Sequence, residues 1–245
     1  MNMKNWNFLE RQMKDIGFQP ETIAQVKINI SEGIPNFTAR EQVELKDGDV
    51  RVTKPNLTKA KEGDMYWLNN YSQTLISEQG RKVNETLVYV DKSHNLTLDE
   101  VTKIQRGAGI EREMLDKQQN PYIGWSAIDE RKINPKHGIA EVKPFHPNFG
   151  FSAEAAVKQY AIALPEDGLE RLRQGERVKG IGEHDGKEYL VAVNPPVKSL
   201  FIWHADSNVA LTKNERQELR ADGMTEGEKA SNAQSQRSRQ SVGMP

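Results

Sequence analysis

Five histidines are the side chains best suited to acid–base or metal chemistry: His94, His137, His146, His184 and His204. No two of them stand four apart, and none belongs to an H-E-x-x-H run, in which two imidazoles share one helical face to grip zinc while a glutamate acts as base. No metal ligand set is therefore assigned. His146 differs from the rest, because it lies between Pro144 and Pro147 and beside Phe145 and Phe149. Rigid aromatic surroundings can shift an imidazole's pKa or hold a ligand. The chemistry open to His146 is proton transfer with a carboxylate, Glu141 or Glu154, within hydrogen-bonding reach. The plainer role is that of a packed loop histidine. Two other motifs fail on their context. Gly124-Trp125-Ser126-Ala127 begins like a nucleophile elbow, but Ile128 stands where a glycine is needed and no helix signal follows. Gly180-Ile181-Gly182 lacks the third glycine, the Lys-Ser/Thr and the helix that together cradle phosphate. No catalytic residue and no cofactor are assigned.

Aromatic side chains offer binding rather than bond-making chemistry. Tyr66, Trp67, Tyr71, Tyr89, Tyr122, Trp125 and Trp203 would form a stacking platform if several shared an exposed face. A platform for single-stranded nucleic acid also needs a positive groove. Here Arg40, Lys54, Lys59, Lys61, Arg131, Lys132 and Lys136 are interrupted by Glu62, Asp64, Asp129 and Glu130. The binding candidates are Trp67, Tyr122, Trp125, His146 and Trp203, set against the alternative of core aromatics and solvated charges.

The overall balance points the same way. With 34 basic and 35 acidic residues, the formal net charge is −1, which removes the strongest electrostatic argument for nucleic acid or an anionic membrane. The absence of cysteine excludes disulfides, thiolate catalysis and thiol-ligated metal. The opening MNMKNWNFLERQMKDIGF has no uninterrupted apolar core, and nowhere do about eighteen apolar residues run together, so no signal peptide, membrane span or membrane partner is expected. A cytoplasmic protein is the expectation.

The elements that would position these residues begin with two helices. Trp6, Leu9, Met13 and Ile16 mark one face of the first, ended by Gly17; Pro20 opens a second with Ile23, Val26 and Ile30 inward. From Phe37 the period changes to two. Val43 and Leu45 with Val50 and Val52 predict a hairpin, a lysine-rich loop runs from Lys54 to Gly63, and Met65–Leu68, Leu75–Ile76 and Val83–Val90 add strands to an antiparallel sheet.

Two later stretches then look alike. In LTLDEVTKIQRGAGI, Val101, Ile104, Gly107 and Ile110 occupy the places that Leu169, Leu172, Gly175 and Val178 occupy in LPEDGLERLRQGERV. A polar turn and strand-like residues follow each. Each half is too small to bury its own apolar face and must pack on its neighbour. Pro144 and Pro147 bar regular structure around His146, and Ser152 opens a short helix. A polar helix over 211–221 precedes EGEKASNAQSQRSRQSVG, a composition that predicts a disordered tail from Asp222. The fold class is α+β: an N-terminal helical hairpin, an antiparallel sheet, two similar helix-plus-β-ribbon units and a disordered C-terminal tail. The expected divisions are 1–92, 93–148, 149–210 and 211–245.

The order of WNFLERQMKDIGF, EGDMYWLNNYSQTL, LTLDEVTKIQRGAGIEREML with YIGW after it, and KPFHPNFGFSAEAAV resembles an uncharacterised protein family carried by conjugative and other mobile elements of gut anaerobes. LERLRQGERVKGIGEHDGKEYLVAV separately resembles a small domain of unknown function repeated in proteins of those elements. The resemblance covers about Trp6 to Trp203 and implies no activity, cofactor or catalytic residue. It implies a cytoplasmic accessory protein near DNA processing or transfer. The expected function is protein binding without catalysis, by sheet-edge pairing or an apolar groove beside Trp67 and Trp125. Nucleic-acid binding and an enzyme built on His146 are the alternatives.

Overall fold

The four apolar side chains expected on one face of the first helix, Trp6, Leu9, Met13 and Ile16, are all buried along α1 (Met3–Ile16). Asn2 caps its start, and Gly17, at φ 99°, turns the chain back by giving its N–H to Met13 and Lys14 carbonyls. That left-handed residue is one a side chain resists, so glycine sits there at least cost. Pro20 then opens α2 (Pro20–Ser31), as its fixed φ and missing N–H favour. This hairpin belongs to a computed structural model that describes residues 1–91, 94–133 and 138–220. The tail expected from Asp222, with Lys136 and His137, lies outside the described residues. Among the described residues the fold is mixed α+β, with six α-helices, a large mixed sheet and a small antiparallel one.

The large sheet starts where the period of two starts. β1 (Asn36–Thr38) and β2 (Glu41–Glu44) lie end to end along β3 (Val50–Lys59), which pairs with β4 (Tyr66–Ile76), and β4 with β5 (Lys82–Tyr89). Of the loop expected over Lys54–Gly63, the first part, to Lys59, is in fact the second half of β3, and residues 60–63 belong to the connection to β4. Pro55 does not end that strand, because it falls in the gap between the two short partners: Thr53 faces Glu41, Asn56 faces Thr38, and the Pro55 carbonyl takes the Ala39 N–H at 3.3 Å. A missing N–H in that gap interrupts no ladder.

Beyond β5 the chain crosses through α3 (Leu98–Gln105) and makes β6 (Ile110–Leu115), β7 (Pro121–Ile133) and β8 (Ala140–Phe145). The sheet order is β1-β3-β4-β5-β8-β7-β6, with β2 also on β3. β8 joins β5 in parallel, Thr86 facing Ala140 and Leu87 facing Glu141, so the sheet is mixed where antiparallel pairing throughout was expected. A parallel neighbour requires a long crossover, which α3 and the β6–β7 hairpin supply. The pairing also carries the sheet across position 92. Pro144, expected to bar regular structure, lies inside β8 opposite Ser126, beyond the two residues that β5 accompanies.

Helices α1, α2 and α3 cover one face of this sheet, closing a core of Leu9, Met13, Leu57, Tyr71, Val101 and Ile104 among others. Between β4 and α3 the core holds a polar knot. Gln73 Nε2 donates to Thr102 Oγ1 at 3.0 Å and to Gln105 Oε1 at 3.1 Å, and Gln105 Nε2 returns a bond to the Gln73 carbonyl at 2.7 Å.

A second core gathers α4 (Ala153–Gln159), α5 (Gly168–Arg173) and the small sheet, in the order β12 (Ser199–His204), β11 (Glu188–Asn194), β10 (Val178–Gly182), β9 (Ile162–Ala163). Ser152 caps α4 as expected, its side chain accepting the Ala155 N–H. Buried Leu211 and Leu219 dock α6 (Lys213–Glu218) on the same core. No helix among the described residues is long and apolar enough to cross a membrane.

The two look-alike stretches share their local geometry. Gly107 and Gly175 are both left-handed, at φ 90° and 72°. Gly107 bonds back to the Ile104 carbonyl and Ala108 to Lys103; Gly175 bonds to Leu172 and Glu176 to Arg171. Buried Ile110 and Val178 then open β6 and β10, each the first strand of an antiparallel three-strand run. They differ in detail. α3 has a Thr97–Glu100 capping box and α5 has no side-chain cap bond; Ile110 faces Ser126 across its ribbon, whereas Val178 faces Val191 across a shorter one. The two runs touch where the Gly109 N–H meets the Val193 carbonyl at 3.0 Å.

Candidate functional site

The five binding candidates do not converge. Trp125, on β7, is 5% exposed and packs edge-on against Phe151 with ring centres 5.1 Å apart. It is a core residue and forms no groove with Trp67. Trp67, on β4, is 43% exposed and lines a shallow pocket with Phe8 and Tyr89. Tyr122 lies against His146, ring centres 4.6 Å apart. Trp203 belongs to β12 in the small sheet.

His146 is exposed, and its Nδ1 accepts the Asn148 N–H at 3.2 Å, capping the short 3-10 turn Pro147–Phe149. The two carboxylates proposed for it are engaged elsewhere. Glu141 pairs with Lys143 and takes the Tyr89 hydroxyl at 3.3 Å. Glu154 accepts from Ser152 Oγ at 2.9 Å and pairs with Arg173. The acid–base pair offered as an alternative does not form, and His146 serves as a cap.

Around Trp203 a more developed site is built from both sheets. Phe201 and Trp203 alternate along β12, so their rings fall on one face, centres 5.6 Å apart and planes 24° from parallel. Arg177, just before β10, lays its guanidinium 4.3 Å from the Trp203 ring and donates to the Arg106 carbonyl at 2.9 Å. Arg106 ends α3, and its own guanidinium reaches Asp47 at 2.6 Å and Asp49 at 2.7 Å in the β2–β3 turn. Gln105, Ala210 and Arg216 complete an open groove of about 730 Å³. The bridge from Trp203 to Ala210 fixes the edge of β12 beside it.

The electrostatics of the groove are uneven. Arg106 is neutralised by two carboxylates. Arg177 has no carboxylate within ion-pair distance among the described residues, and burial, then the charge of Arg106, push its pKa down. Nothing in the groove is arranged as a nucleophile with a base. Its chemistry is stacking and charge recognition.

Sequence reasoning found Trp203 and missed Arg106, Arg177 and Phe201. A signal was there: each of the two matching helix-to-strand turns carries an arginine, Arg106 and Arg177, and the fold brings those turns together.

A smaller pocket of about 170 Å³ lies on the other side of the small sheet. There Tyr189 donates its hydroxyl to Asp185 at 2.6 Å, and His204 Nε2 lies 3.2 Å from Glu215 Oε1. Burial, then the Asp185 carboxylate, raise the Tyr189 pKa; bonds from Thr212 and then His204 hold Glu215 at about 2. The His204–Glu215 contact clips α6 to β12. Among the described residues no three His, Asp or Glu side chains are grouped to hold a metal ion. Comparison of the chain with family models, with curated proteins and with solved structures finds no match.

Proposed function

We propose that this protein is a non-catalytic interaction protein that takes an extended segment of a partner protein into the groove beneath Trp203. The observation that carries this is the Arg177–Trp203 stack in an open groove whose walls carry both signs of charge and two stacked aromatic rings. Such walls suit a peptide, which offers apolar, aromatic and charged side chains in turn. In this proposal α3 with β6–β8 and α5 with β10–β12 are two copies of one module, and the groove is made where their helix-to-strand turns meet. The resemblance to an uncharacterised family of mobile elements implies a cytoplasmic accessory protein, and the proposal keeps that expectation.

Nucleic acid is the alternative occupant, favoured by the stacked rings and by Arg106, Arg177 and Arg216. Against it stand Asp47 and Asp49 in the same groove and the net charge of −1, both unfavourable to a phosphate chain. The test is a display selection of random peptides on the full chain, run beside a mobility-shift titration with single- and double-stranded DNA. Peptides whose binding is lost in Trp203→Ala and kept in Trp67→Ala support the proposal. DNA binding that falls steeply with salt, without peptide enrichment, replaces it.

A further inference from the structure

The groove holds more cationic charge than it neutralises. Arg106 is matched by Asp47 and Asp49, but Arg177 and Arg216 have no carboxylate within ion-pair distance among the described residues. Arg177 is exposed along its length, but its guanidinium is pinned through one amino group to the Arg106 carbonyl and lies over the Trp203 ring, which covers one of its faces. Arg216 lines the same groove from α6, and its Nε is shut away from water without an acceptor. A guanidinium taken partly out of water costs free energy unless an anion meets it. A planar fork fixed on an aromatic ring is already oriented to grip a two-oxygen anion side-on.

We propose that Arg177, assisted by Arg216, is the anchor for an acidic side chain, Asp or Glu, of the partner segment, with an aromatic or apolar neighbour of that residue lying on Phe201 and Trp203. This rests on the groove being the peptide site proposed above, and it adds the chemistry of the occupant. A carboxylate is favoured over a phosphate because Asp47 and Asp49 share the groove, and their repulsion acts twice as strongly on a dianion as on a monoanion.

The experiment takes the selected peptides and measures their affinity by fluorescence polarisation for the full chain, with each acidic residue replaced in turn by its amide. One replacement is expected to weaken binding to the unmodified protein about tenfold, the scale of one charge-assisted bond. Arg177→Gln is expected to weaken the acidic peptide by a similar factor and to bind acid and amide forms equally. Arg177→Lys, which keeps the charge and loses the fork, should restore part of the preference. Thermal unfolding of each variant checks that it folds, and Arg216→Gln, on the surface helix, provides a second variant if Arg177→Gln does not. Selected peptides with no acidic residue, or a preference for acid that survives in both glutamine variants, overturn the anchor and leave the groove standing. Acidic peptides that bind Trp203→Ala undiminished overturn the groove itself. Phosphopeptides that bind tighter than their glutamate counterparts overturn the choice of carboxylate.

Discussion

Gly175 faces Ile110 so closely that a β-carbon on the glycine would stand 2.6 Å from Ile110 Cγ1. The turn after one helix therefore seats directly on the first residue of the other three-strand run. Gly109 shows the same intimacy from the opposite side, a β-carbon there meeting Pro195 at 2.5 Å. The seam between the two runs is set by glycines that leave room for the neighbour.

Gly175→Ala should destabilise the fold by about 2–4 kcal/mol, combining a side chain at φ 72° with the overlap on Ile110. Urea unfolding followed by tryptophan fluorescence measures it. Ile110→Ala removes the overlap and leaves the backbone strain, so the double variant should lose less than the sum of the single ones. Strict additivity would mean that the two residues do not press on each other.

The polar knot between β4 and α3 should be nearly as sensitive. Gln105→Leu keeps the volume but removes one acceptor from the Gln73 amide, which retains Thr102, and the side-chain donor to the Gln73 carbonyl, at a cost of about 1–3 kcal/mol. An unchanged urea midpoint would show that the bonds contribute nothing net.

The clip between α6 and β12 should respond to acid. The carboxyl of Glu215 is held at about 2, chiefly by Thr212 and then by His204, below its ordinary 4.5. A depressed folded-state pKa gives stability that is present above the unfolded value and is lost as pH falls toward the folded one. Amide signals of Thr212 to Leu219 in NMR spectra should therefore broaden or shift as pH falls from about 4.5 toward 2, ahead of those of the large sheet. Glu215→Gln should loosen the same residues at neutral pH. Simultaneous change across the whole spectrum would sink this local account.

Arg173 binds α5 to its surroundings, reaching Glu111 on β6 at 3.3 Å and pairing with Glu154 on α4. Burial raises the Glu111 pKa and Arg173 opposes the rise. A raised folded-state pKa favours the native state at low pH and weighs against it as pH rises through that value. Arg173→Met enlarges the Glu111 effect and removes the support given to ionised Glu154. Its stability deficit against the unmodified protein should be larger at pH 7 than at pH 4 when urea curves at the two are compared. A deficit independent of pH would assign Arg173 to packing alone.

What could be read in advance was local. The spacing of Trp6, Leu9, Met13 and Ile16, the glycine after them and the proline that opens α2 depend on neighbours within two turns, and all appear where expected. The same holds for the paired turns at Gly107 and Gly175. The β5–β8 pairing was hidden because two short stretches far apart in the chain carry no mark of each other. Lys54–Lys59 looked like a loop because its lysines and Pro55 suit one, and only the break between β1 and β2 makes room for the proline. Trp125 could not be told from an exposed aromatic until α4 and Phe151 were seen to cover it. Of the groove, one ring was legible; the arginines were not, since a residue's missing counter-charge is visible only in three dimensions.

The place of β8 has an outcome for synthesis. It is the last strand of the large sheet to be made, yet it lies in the middle, between β5 and β7. A nascent or truncated chain that stops short of Ala140 exposes two bare interior edges, each ready to pair with a strand of another molecule. Full-length chains should thus stay dispersed on the ribosome's release, while fragments ending in the β7 segment should clump.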